Sequence, residues 1–396
     1  MMKLEVKLLK MLREQTNSET AGRVTGIVTT LLLFICIISI AFYAYMKSIN
    51  PSATPRDMLM TLKGQQNDIV KEARTEYSFS FEPGEKPVFV LYKDYIVKCG
   101  SGGIWFLDKS GNIIWTESLT FSNPIIKTNG AQLLVADVGT GDMYVIEDQE
   151  ITRREKLDVT IFNAGISTDG YVTTVTSSKR DKNEIRVYNP HGIELFRKII
   201  ANDFAVSAEI APSEKYLAVS GISMGTVGAY SKYKFYDLTG NELAGQTFEA
   251  SEELLPIYWF NSDNSIFAAG DRSIALMNEE GKIIWQKQFT KIAGAYPNGN
   301  KRLAVAAEAG EGAMLKIYSA DGQEYSSCKL EGNPEGLSAY KGNVAVHTKD
   351  TVYFFNEKCK TIGKYSSDSN IKQVYFFSRQ QAAVITANTV TVINIS

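Results

Sequence analysis

The sequence predicts an all-β chain: a β-propeller of eight four-stranded blades, with seven as the competing count, preceded by one transmembrane α-helix. Three observations carry this. A stretch of 23 residues near the start holds no charge, a turn ending in glycine returns at intervals near 40 residues, and short β-prone runs separate those turns. Composition excludes several other classes. With 42 basic against 44 acidic side chains the net charge is -2, so the basic footprint of a nucleic-acid binder is missing. Only 10 prolines and 30 glycines argue against a disordered or collagenous chain.

The uncharged stretch runs from Val24 to Met46 between Arg23 and Lys47. At ~1.5 Å per residue it spans about 35 Å, enough for a hydrocarbon core of ~30 Å. A buried soluble helix would keep a polar stripe, and here only threonines, one serine and one glycine interrupt the apolar surface. Phe42, Tyr43 and Tyr45 collect at one end, where aromatic rings favour the headgroup level. Phe42 stands where signal cleavage before Tyr45 would need a small residue, and Ile35 is poorly suited to lipoprotein processing at Cys36. The expectation is therefore an uncleaved anchor whose partner is the lipid bilayer.

Lys3, Lys7, Lys10, Arg13 and Arg23 precede the span, against Lys47 and Arg56 just after it. This excess orients the tail toward the cytoplasm and the bulk of the chain outside. The expected organisation is a basic amphipathic tail over 1–23, the anchor over 24–46, a stalk over 47–76 and a propeller ectodomain over 77–396. Asn50 to Pro55 reads as an extended spacer. Thr54, Pro55 and Asp57 follow the pattern of a helix start, with a capping hydroxyl, a first-turn proline and an early acid.

The repeat is clearest in Phe106–Gly111, Val187–Gly192, Phe235–Gly240, Leu276–Gly281 and Ile317–Gly322, each a strand end in Asp, Asn or Ser, then two residues, then glycine. A type I turn wants a capping side chain first and, at its fourth position, a glycine free to take positive φ. The glycines fall 41 residues apart from Gly240 to Gly281 and again to Gly322, and 48 apart from Gly192 to Gly240. The 81 residues from Gly111 to Gly192 hold two units, with a degenerate turn after Met143–Glu147, and Asn356–Cys359 repeats the turn with cysteine at the fourth position. An apolar strand precedes each turn strand, and an outer strand follows all but the last. Tyr77–Phe81 alternates aromatic and small residues, so it is the expected donor of the missing outer strand, pairing beside Val390–Asn394 to remove an exposed edge.

The run Asp108-Lys-Ser-Gly-Asn-Ile-Ile-Trp115, returning as Asn278-Glu-Glu-Gly-Lys-Ile-Ile-Trp285, resembles the repeat of pyrroloquinoline-quinone-like, WD40-like propellers. With its single anchor, the chain is similar to a bacterial family of membrane-tethered propellers of unassigned function. The resemblance covers 77–396 and implies that Trp115 and Trp285 dock neighbouring blades. Phe196, Ala244 and Ser326 stand at the equivalent places in other repeats. Quinone binding in that superfamily needs an aromatic platform and calcium-ligating carboxylates, and in many members adjacent cysteines. None of the four cysteines here is next to another, so no cofactor is expected.

Side-chain chemistry points the same way. Of two histidines, His191 falls in a turn and His347 in a strand, a poor basis for a metal site or acid–base catalysis. Gly100–Gly103 joins two strands and is a hairpin turn, whereas a phosphate loop opens a helix. Cys328 and Cys359 are expected as free thiols, because equivalent outer strands of adjacent blades lie too far apart for a bridge. The loops entering the inner strands carry Glu249, Glu252, Glu253, Asn333, Glu335, Asp368 and Asn370, expected as solvated side chains. The connection from Ser220 to Tyr233 is expected to protrude. Two function classes remain: an envelope scaffold that binds a protein or glycan, and a propeller enzyme acting on an extracellular carbohydrate or carrying a quinone-type cofactor. The inventory favours the scaffold, with no catalytic, cofactor-binding or metal residue assigned.

Overall fold

The computed structural model describes residues 71–82, 85–178, 183–226, 228–248, 254–299, 301–310 and 312–395. The basic tail, the Val24–Met46 anchor and the stalk up to residue 70 lie outside the described residues. Among the described residues, no helix is long and apolar enough to cross a membrane.

The described chain forms eight antiparallel four-stranded sheets. Blades 1 to 7 are consecutive, over residues 88–118, 124–156, 161–200, 204–247, 257–288, 291–329 and 336–366. In each, the first strand is innermost and the fourth outermost. Blade 8 takes its three inner strands from Ile371–Phe376, Gln381–Thr386 and Thr389–Asn394 and its outer strand from Arg74–Ser80. The expected closure is present: Tyr77 pairs with Val392 and Phe79 with Val390, across a register shift between Thr75 and Tyr77. The count is thus eight, and the first and last described strands meet in one sheet.

Burial explains why the blades cannot stand alone. The buried apolar side chains group into eight clusters, and every cluster straddles two adjacent blades. Phe106 and Val97 of blade 1 pack with Leu133 and Val135 of blade 2. The same division holds between blades 2 and 3, 3 and 4, 4 and 5, 5 and 6, 6 and 7, and 7 and 8. The ring closes where Phe89 and Ile96 of blade 1 meet Val390 and Val392 of blade 8. Central strands are consequently apolar on both faces in most blades, as in Leu133–Ala136 and Leu303–Ala307, all buried, whereas blade 3 buries Thr173, Thr174 and Thr176.

Two faces result. The hairpins between first and second strands and the turns between third and fourth strands lie on one, here the turn face. The other, the loop face, carries the hairpins between second and third strands and the connections entering each blade.

Closure makes a direct prediction. Phe79 is half-buried over the blade 1 turn, where a Cβ on Gly111 would fall 2.5 Å from its ring. Phe79→Ala should cost about 2 kcal/mol in denaturant unfolding; unchanged stability would show that the closing strand contributes little to the ring.

Candidate interaction face

The turns that organise the ring behave as their sequence implies. Asp237 accepts hydrogen bonds from the backbone N–H groups of Thr239 and Asn241, both at 2.9 Å, and Gly240 N–H donates to its carbonyl at 3.0 Å. The Thr239 hydroxyl, aided by Asn241, holds the Asp237 carboxyl well below the usual carboxylate range. Gly111, Gly192, Gly240, Gly281 and Gly322 all take positive φ.

Each turn also receives the preceding blade. Trp285 lies over Gly322, where a Cβ would come within 2.8 Å of the indole, and its Nε1–H donates to Ala320 O at 2.9 Å. Trp115 packs in the cluster between blades 1 and 2, with its ring 4.9 Å from that of Phe106. Phe196 covers Gly240 and Arg153 covers Gly192. At Gly281 the neighbour is Phe235, one strand further in, because Ala244 is too small to reach.

The loop face over blades 3 to 5 differs from this repeating frame. The second and third strands of blade 4, Tyr216–Met224 and Ala229–Asp237, are nine residues each and pair to the tip, Met224 opposite Ala229. The connection expected as a protruding loop is therefore an extended β-hairpin, with strand pairing that continues to Met224 and Ala229. It is fixed on both sides. Buried Asp203 accepts from the Ser223 hydroxyl and lies 3.5 Å from Lys232 Nζ. Toward blade 5, Tyr233 donates its hydroxyl to Leu255 O at 2.5 Å, and Ser220 donates to Pro256 O at 2.8 Å.

Large apolar side chains are exposed at this same end of the strands. Met224 at the hairpin tip is 70% exposed, Phe204 at the entry to blade 4 60%, and Ile257 at the entry to blade 5 54%. Phe162 and Ile199 add two more from blade 3. Other exposed large hydrophobics sit mainly on outermost strands, Ile114, Leu243 and Ile284 among them. Glu184, Arg186 and Asp158 border the apolar surface with an ion-pair chain, Arg186 Nε lying 2.7 Å from Glu184 and Nη2 3.4 Å from Asp158.

A second feature lies near the ring axis. A cavity of about 540 Å³ is lined by the inner strands of blades 7 and 8 together with Leu91, Thr128 and Tyr296. Nearby, Trp259 and Tyr296 bring their rings within 5.8 Å. Glu209, on the inner strand of blade 4, packs against Gly165 of blade 3. Burial pushes its carboxyl pKa up, and Lys127 of blade 2 opposes that.

The remaining sequence candidates are dispersed. His191 is exposed in its turn, while His347 is buried with Nδ1 3.1 Å from Thr348 O. Gly100 pairs with Gly103 in a hairpin. Asn333 and Glu335 edge a shallow depression in blade 7; Asp368 and Asn370 are exposed, and Glu249, Glu252 and Glu253 lie outside the described residues. Among the described residues, no group of three or more metal-ligating side chains converges. Cys328 and Cys359 are free thiols, but the distance argument against a bridge fails: Cys359 sits in a turn beneath the outer strand of blade 6, and the two side chains pack in one cluster. Sequence reasoning missed Phe204, Ile257 and Glu209. A glutamate inside the apolar run Phe204–Ile210 was the one available signal.

Comparison with known proteins agrees with this architecture. The chain belongs to the family described as "Family of unknown function (DUF5711)", which it matches over residues 66–395. No curated protein matches it. Among solved structures, the C-terminal WD40 domain of Sif2 is similar at 12% identity and a TM-score of 0.63, covering 83% of this chain and 99% of that one. Sqt1 of Saccharomyces cerevisiae has 12% identity and a TM-score of 0.60, covering 83% and 100%. BamB of Moraxella catarrhalis has 13% identity and 0.54, covering 81% and 99%. At these identities the likeness is one of fold: a WD40-like eight-bladed propeller.

The raised pKa of Glu209 sets a pH dependence. Because its folded value lies above the unfolded one, ionising it costs stability, a cost that grows as pH rises past about 4.3 toward the folded pKa and is absent below. Glu209→Gln should therefore raise the melting temperature by about 2 °C at pH 8 and leave it unchanged at pH 3. A lower melting temperature at pH 8 would instead mean that the Lys127 attraction dominates.

Proposed function

We propose that this chain is a single-pass membrane protein that presents its propeller outside the cytoplasm and binds another envelope protein through the loop face of blades 3 to 5. The observation that carries the reading is the exposure of Met224, Phe204 and Ile257 around a hairpin held near its tip by Asp203 and lower down through Ser220 and Tyr233. Exposed apolar side chains on a rigid element, bordered by charge, are what a protein interface uses. A glycan site would instead need converging hydrogen-bonding groups, so a protein is the better partner. A related fold gives precedent: the BBS1N structure, at 10% identity and a TM-score of 0.51, is a complex with ARL6DN. The membrane reading is supported by the uncharged Val24–Met46 span and the basic residues before it.

Two experiments test the proposal. In intact cells, a photo-crosslinking residue at position 224 should capture a defined partner, and the pair Phe204→Asp and Ile257→Asp should reduce that capture at least tenfold with the melting temperature unchanged. Equal capture by the double variant would refute the site. Protease added outside intact spheroplasts should degrade the propeller, and complete protection would refute the orientation.

A further inference from the structure

Cys359 occupies a position that the other glycine-type turns reserve for glycine. Its φ is 55°, a left-handed conformation disfavoured for a residue with a side chain. The partner above it is also unusual. Ser326 stands where blade 5 has Trp285, and it makes the same dock: its hydroxyl donates to Glu357 O at 2.7 Å, as the Trp285 indole donates to Ala320 O at 2.9 Å. The small serine thus leaves room that the Cys359 side chain fills, exchanging tryptophan over glycine for serine over cysteine. Cys328, two residues further along the same outer strand, points to the same side. Its side chain packs in the same cluster as Cys359, and Ser326 Oγ is 3.3 Å from the Cys359 sulfur. Cys359 is buried at 6% exposure while Cys328 is half-buried, so a small oxidant can approach from the Cys328 side.

We propose that Cys328 and Cys359 are a peroxide-sensitive dithiol that closes to a disulfide, stapling blade 6 to blade 7. Cys359 is the attacking sulfur: the neighbouring Cys328 thiol donates to it and holds its pKa below the ordinary thiol value despite burial. The Cys359 thiolate attacks one oxygen of hydrogen peroxide, the O–O bond breaks, and a sulfenic acid and hydroxide result, the hydroxide taking up a proton to become water. The Cys328 sulfur then attacks the sulfenic sulfur, the S–O bond breaks, and a second water leaves with the Cys328 proton. Two electrons pass from the thiols to the peroxide. Two equivalents of a thiol reductant reverse the change, leaving that reductant as its disulfide. The cysteines are 31 positions apart, so the bond closes a loop of moderate length across a blade boundary.

The test uses the full chain in detergent, reduced and then treated with stoichiometric hydrogen peroxide. The expected result is an intact mass lower by two hydrogens, a reductant-cleavable peptide pair containing Cys328 and Cys359, and a melting temperature higher by about 5 °C. In Cys328→Ser, Cys359 should stop at a sulfenic acid that dimedone traps. Cys359→Gly restores the residue of the other turns, and the relief of its positive φ offsets the space left beneath Ser326, so it should fold with reduced-state stability close to the parent and lose the peroxide response. Two thiols that stay alkylatable after peroxide, or a cross-link that avoids this pair, would overturn the proposal.

Discussion

Each sheet of this ring has two apolar faces, and only a neighbouring blade covers either of them. That constraint organises everything else. Because all eight clusters of buried side chains lie between blades, stability belongs to the interfaces, and a missing blade would expose two faces at once. Closure is therefore a requirement of the fold. It is met by completing the last sheet with the first described strand, Arg74–Ser80 against Thr389–Asn394, so that blade 8 is held by strands from both ends of the propeller.

Such interfaces also explain the division of labour between the faces. On the turn face, Gly322, Gly240 and Gly111 lie beneath Trp285, Phe196 and Phe79, so these positions are committed to holding blades together. The loop face carries less of that duty. Over blades 3 to 5 it supports a hairpin longer than the fold needs, anchored by polar contacts on both sides and apolar at its tip. Rigid support beneath an exposed apolar tip lowers the entropy lost on binding.

The sequence displayed the parts of this fold that depend on local rules. Turn chemistry at Asp108–Gly111 and its repeats, period-two alternation in Tyr77–Phe81 and the glycine spacing together identified the blades and the closing strand. Features that depend on blade-to-blade geometry were not legible. Cys359 looked like a degenerate glycine position, and only packing shows that it answers the small Ser326 above it. Ser220–Tyr233 reads as a loop because glycines and small polar residues interrupt it, yet strand pairing continues through them to Met224. Glu209 was hidden for a related reason: a radial sheet gives its inner strand neighbours from other blades, and sequence spacing does not say which residues meet near the axis.

Native-state hydrogen exchange on the propeller tests the central claim most directly. If closure by the first strand maintains the ring, amides of Arg74–Ser80 paired with Thr389–Asn394 should exchange as slowly as those of the central strands and open with them in one cooperative step. Fast exchange along Arg74–Ser80, with Thr389–Asn394 still protected, would contradict the account, because the ring would then stay closed without its outer strand.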